Sequence, residues 1–436
     1  MNKILIAGAA ALLSATAANA DTVVHLTGST AFRPSTIAAI ETLMGGAGNY
    51  KAAFQSSSGA NISATNQLVI QGTIAGLPAG ANPVTIKCSW SGSTGGIKTV
   101  VQNLDVTTWM SISNLPATNT SLGVAAPVYT LDATQFPGET LKADVTMEDS
   151  AQASTGFTTI GLTEKRVGVL VFEFVAGNGA PATLDNMTPL LAQATISGGA
   201  PLSQFTGNAA DTAVPVYVLG RNFDSGTRLS CLAEIGVGVF GGVQHVQPGI
   251  TGTAGAAGSS IATLKLWPAE TVLNQPFAIG QSGFNSGGTL ADNLATPGAA
   301  SAETVTGIPV TEQLQFGPGH LVAYLGRSDA SRACRTSAIP TNTAHRLKWN
   351  GFQIWNGPIA ATGAPASYND NLVTEGLYQL WEYENLAYRS TYSGNGKAIA
   401  DAIAAQISST TVTLSGTKLT DMHVTKAVEG GIITHN

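Results

Sequence analysis

The chain has 436 residues, of which only 11% are charged, and its formal net charge is −6. An acidic chain without runs of Lys or Arg is a poor candidate for binding nucleic acid, because the phosphate backbone attracts basic surfaces. The net charge leaves an anionic small-molecule ligand open, since a buried site binds an anion through local dipoles and single cations.

The first twenty residues have the pattern of a secretory signal peptide. Lys3 precedes an apolar run from Ile4 to about Leu13, and small residues lead to the A-x-A motif that ends at Ala20. The run is too short to span a bilayer, although a retained anchor helix is the alternative interpretation. We therefore expect cleavage after Ala20 and a soluble mature protein that is periplasmic or secreted.

The mature chain exceeds one ordinary hydrophobic core, which predicts two domains or lobes. In its first part, residues 23–26 and 84–88 have strand patterns. Each strand is followed by a turn of Gly, Ser and Thr and then by apolar residues at helical spacing, over 32–44 and 97–104. Residues 105–140 alternate weakly and indicate β-rich decoration.

The second part repeats the same order of elements. Residues 167–175 are nearly all apolar, which is typical of a strand buried on both faces, in a parallel sheet or at a crossover between lobes. Further segments are a strand at 214–219, a helix from 227 to about 240, a turn at 282–288, a helix at 289–294, a strand at 321–326, and low-complexity loops at 250–260 and 294–303. This order predicts an open α/β sheet that binds its ligand at the carboxyl ends of the strands.

Two of the turns combine hydroxyl side chains with glycines. They are residues 91–96 (SGSTGG) and residues 221–227 (RNFDSGT). Glycine lets a backbone N–H approach a bound oxyanion closely, and Ser and Thr add O–H donors. Arg221 adds a planar cation that binds two oxygens at once. We interpret the two turns as halves of one site for phosphate or a similar anion.

These turns resemble segments of the periplasmic phosphate-binding proteins of ABC phosphate transporters, which have the type II periplasmic binding fold. Residues 92–98 (GSTGGIK) are similar to the family's G-S-S-G-G-x-K turn, and residues 221–227 to its R-x-D-x-S-G-T signature. Thinner matches cover residues 27–32, 148–151, 283–288, 319–324 and 375–384. The resemblance extends over most of the mature chain, and its two most specific segments are the first two named.

The resemblance implies an α/β, two-lobed fold in which each lobe is a mostly parallel sheet flanked by helices, with β-rich inserts near 50–80 and 105–140. Residues 21–170 with 345–436 form lobe one, and residues 171–344 form lobe two. The implied phosphate ligands come from both lobes: Ser29, Thr30, Ala31, Ser93, Asp149, Arg221, Ser225, Gly226 and Thr227.

Asp149 takes the place of the family's buried Asp, with a helix-capping role as the alternative. A carboxylate accepts a hydrogen bond only from a protonated anion, so it favours protonated phosphate over sulfate. The chain departs from the family at Phe223, where the family has the Asp that orients its arginine; here Asp224 follows. Arg221 is therefore expected to sit differently or to bind another oxyanion, and a surface pair with Asp224 is the alternative.

The resemblance implies a non-enzymatic solute-binding protein that closes two lobes around phosphate and delivers it to an ABC permease of the inner membrane. We expect a monomer with no cofactor, no metal and no nucleic-acid partner. A secreted phosphatase or esterase is a weaker hypothesis, because the sequence has no G-x-S-x-G elbow and no H-E-x-x-H motif. The other alternative is a secreted or surface structural protein that keeps the fold without transport.

The remaining polar and reactive residues have ordinary interpretations. Export permits a disulfide, and Cys231 with Cys334 is the expected pair, which leaves Cys88 free and buried. Lys98 is expected to be solvated, the six histidines to have no special role, and residues 381–384 (WEYE) to pack at a lobe surface.

Overall fold

The structure is a computed structural model that describes residues 21–55, 65–105, 107–118, 128–129, 139–239, 241–272, 275–298, 319–358, 367–409 and 416–436. The predicted signal peptide lies outside these ranges, so cleavage after Ala20 stays a prediction. Within the ranges, no helix has the length and apolar character needed to cross a membrane.

Strands and helices occur along the whole of the described chain. The strands are β1 (Thr22–Gly28), β2 (Tyr50–Gln55), β3 (Gln67–Gly72), β4 (Val84–Ser89), β5 (Thr107–Trp109), β6 (Val128–Tyr129), β7 (Glu139–Leu141), β8 (Val145–Glu148), β9 (Leu162–Ala176), β10 (Asn186–Met187), β11 (Ala200–Pro201), β12 (Pro215–Leu219), β13 (Val246–Thr251), β14 (Ser260–Leu266), β15 (Glu270–Val272), β16 (Gln275–Phe277), β17 (His320–Gly326), β18 (His345–Arg346), β19 (Lys348–Trp349), β20 (Trp381–Arg389), β21 (Gly416–Thr417), β22 (Val424–Lys426) and β23 (Ile433–His435). The helices are α1 (Arg33–Leu43), α2 (Ser93–Gln102), α3 (Pro189–Ile196), α4 (Ser203–Thr206), α5 (Gly226–Glu234), α6 (Gly287–Ala295), α7 (Arg327–Ala333), α8 (Asn371–Thr374) and α9 (Gly394–Ser409).

The predicted strand–turn–helix order is confirmed, and hydroxyl side chains begin several of the helices. Ser225, Ser286 and Thr188 each accept a hydrogen bond from the backbone N–H three residues further on, at the starts of α5, α6 and α3. Two helix boundaries differ from the prediction. Helix α2 begins at Ser93, within the turn, and α5 ends at Glu234 rather than near residue 240.

One central sheet has the strand order β11-β12-β17-β9-β20-β8-β1-β4-β3-β2-β6, and β13 and β14 form a separate two-stranded sheet. Strands β4, β1 and β8 are mutually parallel, and so are β12 and β17. Between these two groups lie β9 and β20, which run antiparallel to their neighbours. The predicted α/β fold, with a central sheet flanked by helices, is therefore confirmed, with antiparallel pairings in the middle and also toward both edges, at β11, β3 and β2.

Strand β9 links the two parallel groups. Its first ten residues pair with β20, and its last five pair with β17. The run from Val167 to Ala176 is buried, as predicted, but both of its long pairings are antiparallel. The crossover interpretation fits this strand better than a parallel sheet does.

Hydrophobic clusters cover both faces of the sheet. Along β17, Val322 and Tyr324 belong to one cluster, whereas Leu321 and Leu325 belong to the other. This alternation follows from the two-residue period of a strand. The first cluster includes side chains of α1, α5 and α9, and the second includes side chains of α6 and α7.

This arrangement shows that the expected disulfide is wrong. Cys231 of α5 packs in the first cluster and Cys334, after α7, packs in the second, so the sheet lies between them. Disulfide formation needs Cα atoms within about 7 Å, a distance that opposite faces of a sheet do not allow. Cys88, Cys231 and Cys334 are all free and buried, as was expected for Cys88 alone.

The segment 381–384 also differs from its interpretation, because it lies inside the molecule. Trp381 and Glu384 are buried in β20, which pairs with β9 and β8. Glu384 lies beside Asn385, which stands opposite Glu148 of β8, so two buried glutamates neighbour each other. Burial raises the pKa of both carboxyl groups well above its usual range, and the charges of nearby carboxylates, including Asp149, raise it further.

These glutamates predict a stability that falls as pH rises. Because the pKa of Glu384 is higher in the folded than in the unfolded chain, the folded chain holds an extra proton between those values, and raising the pH through that window costs stability. We expect Glu384→Gln to increase the free energy of unfolding, more at pH 8 than at pH 5. Urea unfolding at several pH values measures it. The exposed Glu375→Gln is the control, and a Glu384→Gln variant less stable at every pH would contradict the prediction.

Candidate functional site

The predicted ligands meet where the carboxyl ends of two oppositely directed groups of strands face each other along β9. The turn with Ser29, Thr30 and Ala31 follows β1, Ser93 begins the helix after β4, and Asp149 follows β8 directly. Since these three strands are adjacent and parallel, their carboxyl ends lie together. From the other parallel group, the segment after β12 supplies the remaining ligands: Arg221, Ser225, Gly226 and Thr227.

Asp149 connects the two groups of strands. One carboxylate oxygen accepts from the Thr227 hydroxyl at 2.9 Å, and the other accepts from the Ser93 hydroxyl. The Ser93 oxygen in turn accepts from the Asp149 backbone N–H at 2.9 Å, and Ser230 donates to the Asp149 carbonyl at 2.6 Å. The Asp149 side chain thus joins the N-terminal ends of α2 and α5 and does not cap a neighbouring helix.

Two glycines allow these helix ends to approach. A Cβ atom at Gly226 would lie 2.0 Å from an Asp149 oxygen and 2.6 Å from the Ser93 Cβ. Gly92 has a φ of +93°, and a Cβ there would lie 2.4 Å from the Asp224 carbonyl oxygen. Larger residues at either position would separate α2 from α5. Glycine in both motifs is therefore a requirement of the close contact between the turns.

Arg221 is buried and is held by backbone carbonyls. Its Nε donates to the Phe284 carbonyl and its Nη2 to the Asn285 carbonyl, both at 3.1 Å. Nη2 also lies 3.4 Å from the Thr30 hydroxyl, across from the β1 turn. Arg221 is only 1% exposed, so the alternative of a surface pair with Asp224 is wrong.

Asp329 supplies the carboxylate nearest to Arg221. A Cβ built on Gly287 would lie 2.0 Å from the Asp329 carboxylate and 3.4 Å from Arg221 Nη1, so both groups converge on that glycine. Burial lowers the pKa of Arg221, and the charges of Asp329 and Asp149 oppose that effect. Asp329 was not among the predicted residues. Its only sequence signal is an acidic residue in the first turn of a helix that follows a buried strand.

The other predicted residues have clear positions. Ser29 accepts from the Phe32 N–H at 3.2 Å, and Ser225 caps α5, so each hydroxyl hydrogen stays available for donation. Ala31 has no polar side chain and is buried beside Gly326, which leaves its backbone N–H as its only donor. All nine predicted ligands are buried.

Asp149 is the buried carboxylate among the predicted ligands. Burial raises the pKa of Asp149, and the hydroxyls of Ser93 and Thr227 and the charge of Arg221 act in the opposite direction. The site therefore combines a cation, several hydroxyl donors and one acceptor. This donor and acceptor set matches a tetrahedral oxyanion that carries at least one O–H.

A polar cleft of about 940 Å³ adjoins the site beside Thr30 and Asp329. Its walls include Arg33, Arg332 and Arg335. Burial lowers the pKa of Arg33 to about 10. The charge of Asp329 raises this pKa, and the charges of Arg332 and Arg221 lower it further. The cleft thus places several cations next to Thr30, the residue that faces Arg221.

Lys98 is not solvated as expected. It is 5% exposed, and its Nζ lies 5.3 Å from the centre of the Phe157 ring. Burial lowers its pKa, and the charge of Asp224 opposes that effect. Lys98 lines a second cavity of about 220 Å³, formed by residues next to the anion site.

No protein-family model matches the chain, and no curated protein matches it. Among solved structures, the chain is similar to a phosphate ABC transporter substrate-binding protein from Clostridium perfringens with bound phosphate, at 12% identity and a TM-score of 0.45 over 91% of this chain and 100% of that one. It is also similar to an ABC-type phosphate transport receptor from Vibrio cholerae (10% identity, TM-score 0.40, 88% and 93% covered) and to PstS from Borrelia burgdorferi (11%, 0.36, 89% and 94%). The first two of these structures are named as phosphate-binding components of ABC transporters.

Proposed function

We propose that the chain is a periplasmic solute-binding protein that captures phosphate, or a similar tetrahedral oxyanion, between two lobes for an ABC transporter. The observation that carries the proposal is the buried convergence of Ser93, Asp149, Thr227 and Arg221 from separate strand ends. Desolvating a multiply charged anion is costly unless donors are already in place. Here the donors are held by helix starts and by backbone carbonyls.

The roles divide between the proposed lobes, residues 21–170 with 345–436 and residues 171–344. Lobe one brings the hydroxyls of Ser29, Thr30 and Ser93 and the Asp149 carboxylate. Lobe two brings Arg221 and the N-terminal end of α5. On binding, the Ser93 and Thr227 hydroxyls turn from Asp149 to the anion, and the Asp149 carboxylate accepts a hydrogen bond from the O–H of the anion. The chain acts as a carrier and not as an enzyme.

The cleft with Arg33, Arg332 and Arg335 provides the approach. Cations around a cleft raise the local concentration of anions. Two of these arginines are already paired with Asp292, at 2.6 and 2.8 Å, which holds them in place and reduces their affinity for the passing anion. The cleft therefore attracts phosphate, and the buried site retains it.

The role of Asp329 follows from the missing carboxylate at Phe223. If Asp329 holds the guanidinium in position, Asp329→Asn should weaken phosphate binding by roughly tenfold while the protein stays folded. Calorimetric titration with phosphate measures the loss. The introduction of a carboxylate by Phe223→Asp should not restore affinity to that variant, because residue 223 lies at the other cavity. Phosphate binding that is unchanged in Asp329→Asn would show that Asp329 has no role in the site.

The proposal is tested by titrating the mature protein with phosphate, arsenate, sulfate and molybdate after bound anion is removed by unfolding and refolding. We expect phosphate and arsenate to bind in the micromolar range or tighter and sulfate to bind much more weakly. Failure of every tetrahedral anion to bind would refute the proposal and favour a structural protein that keeps the fold.

A further inference from the structure

A cavity of about 220 Å³ lies beside the anion site and is distinct from it in chemistry. Its apolar wall includes three half-buried phenylalanines, Phe157, Phe223 and Phe277. Phe223 and Phe277 stack with ring centres 4.0 Å apart, and the Arg228 guanidinium lies 4.1 Å from the centre of the Phe223 ring. These contacts fix a flat aromatic surface on one side of the cavity.

Two polar groups on α2 line the same cavity and are not used by the protein. Thr94 and Lys98 are four residues apart, so they lie on one face of the helix. The Thr94 hydroxyl is buried without a hydrogen-bond partner among the described residues. The Lys98 side chain is mostly buried, and in the described part of the chain its ammonium faces the ring of Phe157 and the charge of Asp224. An unsatisfied buried donor such as the Thr94 hydroxyl is costly, so a ligand that accepts from it and pairs with Lys98 is favoured.

The charges around the cavity define the ligand further. The charged side chains that line it are Lys98, Arg228 and Asp224, with a net charge of +1. Arg228 is already engaged, because it donates to the carbonyls of Arg221 and Gln281. Lys98 therefore remains as the cation for a ligand, and a monoanion makes the lining neutral.

We propose that this cavity is a second binding site, for a small aromatic carboxylate. The carboxylate accepts from the Lys98 ammonium and the Thr94 hydroxyl, and the ring lies against the stacked pair of Phe223 and Phe277. The size agrees, since an engineered cavity of roughly 150 Å³ accepts benzene and this one has about 220 Å³. The site uses none of the nine residues proposed for phosphate except Ser225, whose side chain caps α5.

Benzoate is the probe, titrated calorimetrically into the mature protein. We expect one-to-one binding, with benzyl alcohol roughly tenfold weaker because it lacks the charge. Lys98→Met should weaken benzoate binding by roughly tenfold or more, and Lys51→Met, on β2, should not. Thr94→Val nearly keeps the shape of the side chain and should weaken benzoate binding several-fold. This variant serves as the test if Lys98→Met does not fold.

Competition separates this site from the phosphate site. Saturating phosphate should leave benzoate binding unchanged or tighter, and Arg221→Gln should leave it unchanged. Absence of benzoate binding, equal affinity in Lys98→Met, or displacement of benzoate by phosphate would each overturn the inference. Phenyl phosphate tests whether the cavity extends the anion site. If phenyl phosphate binds more tightly than phosphate, and if the Lys98→Met variant binds the two equally, the cavity holds the ring of a phosphate ester. The inference of a separate carboxylate site would then be wrong.

Discussion

Replacing Arg221 with Gln is expected to weaken phosphate binding by roughly a hundredfold or more, the largest effect of any single substitution in the proposed site. Arg221 is the buried cation that faces Thr30 across the two groups of strands. Gln removes its charge and the forked pair of donors together. Arg221→Lys keeps the charge but not the fork, so an intermediate loss is expected. Calorimetric titration with phosphate gives each affinity.

The controls for Arg221 separate binding from folding. Its guanidinium also donates to the carbonyls of Phe284 and Asn285, so the Gln variant should lose about 1–3 kcal/mol of stability. Thermal unfolding establishes that the protein is folded at the titration temperature. Arg335→Gln, which breaks an ion pair with Asp292 in the outer cleft, should change the equilibrium affinity little. If Arg221→Gln binds phosphate as the natural chain does, the anion is not held where we place it.

Replacing Asp149 with Asn is expected to remove the discrimination between phosphate and sulfate. Asn can donate as well as accept, so a fully ionised anion no longer meets a buried carboxylate. We expect phosphate to bind roughly tenfold more weakly and sulfate roughly tenfold more tightly. Parallel titrations with both anions at pH 7 measure the ratio of affinities.

Asp149 also holds α2 and α5 together, so its control must address structure. Asn can still accept from Thr227 or Ser93, which makes it a milder change than Ala. The exposed Asp421→Asn should leave both affinities unchanged. An Asp149→Asn variant that still rejects sulfate would show that the carboxylate is not the selective element.

Much of the fold near the site is determined locally. Apolar residues mark the strands before the predicted turns, and α5 begins within one residue of the predicted start, so β1, β4, β12 and the start of α5 were predictable from pattern alone. Helix α2 begins before its predicted start, and α1 begins at Arg33. Hydroxyl and glycine residues in those turns are local signals too. In the structure Ser93, Asp149 and Thr227 lie in hydrogen-bond contact. The parallel strands β4 and β8 bring Ser93 and Asp149 to one edge, and β12, which runs in the opposite direction, brings Thr227 to them from the other group of strands.

That Phe223 changes the surroundings of Arg221 stays a prediction, and the sequence did not indicate that Asp329 lies beside Arg221. Asp329 reaches Arg221 from α7, far along the chain, because β17 lies beside β12 in the sheet. Strand order is set by pairing between segments that are distant in the sequence, and the sequence of one segment does not indicate its partner. The antiparallel direction of β9 was unpredictable for the same reason.

Burial was the other property that only the tertiary structure decided. Lys98 and Glu384 are charged residues that composition places at the surface, yet packing of both faces of the sheet encloses them. The disulfide expectation failed on the same ground, because Cys231 and Cys334 are separated by the sheet itself. Residue type and spacing determined the turns, the helix starts and the donors of the proposed site. The layered packing of helices on a shared sheet decided which charges meet, which are enclosed, and which cysteines stay apart.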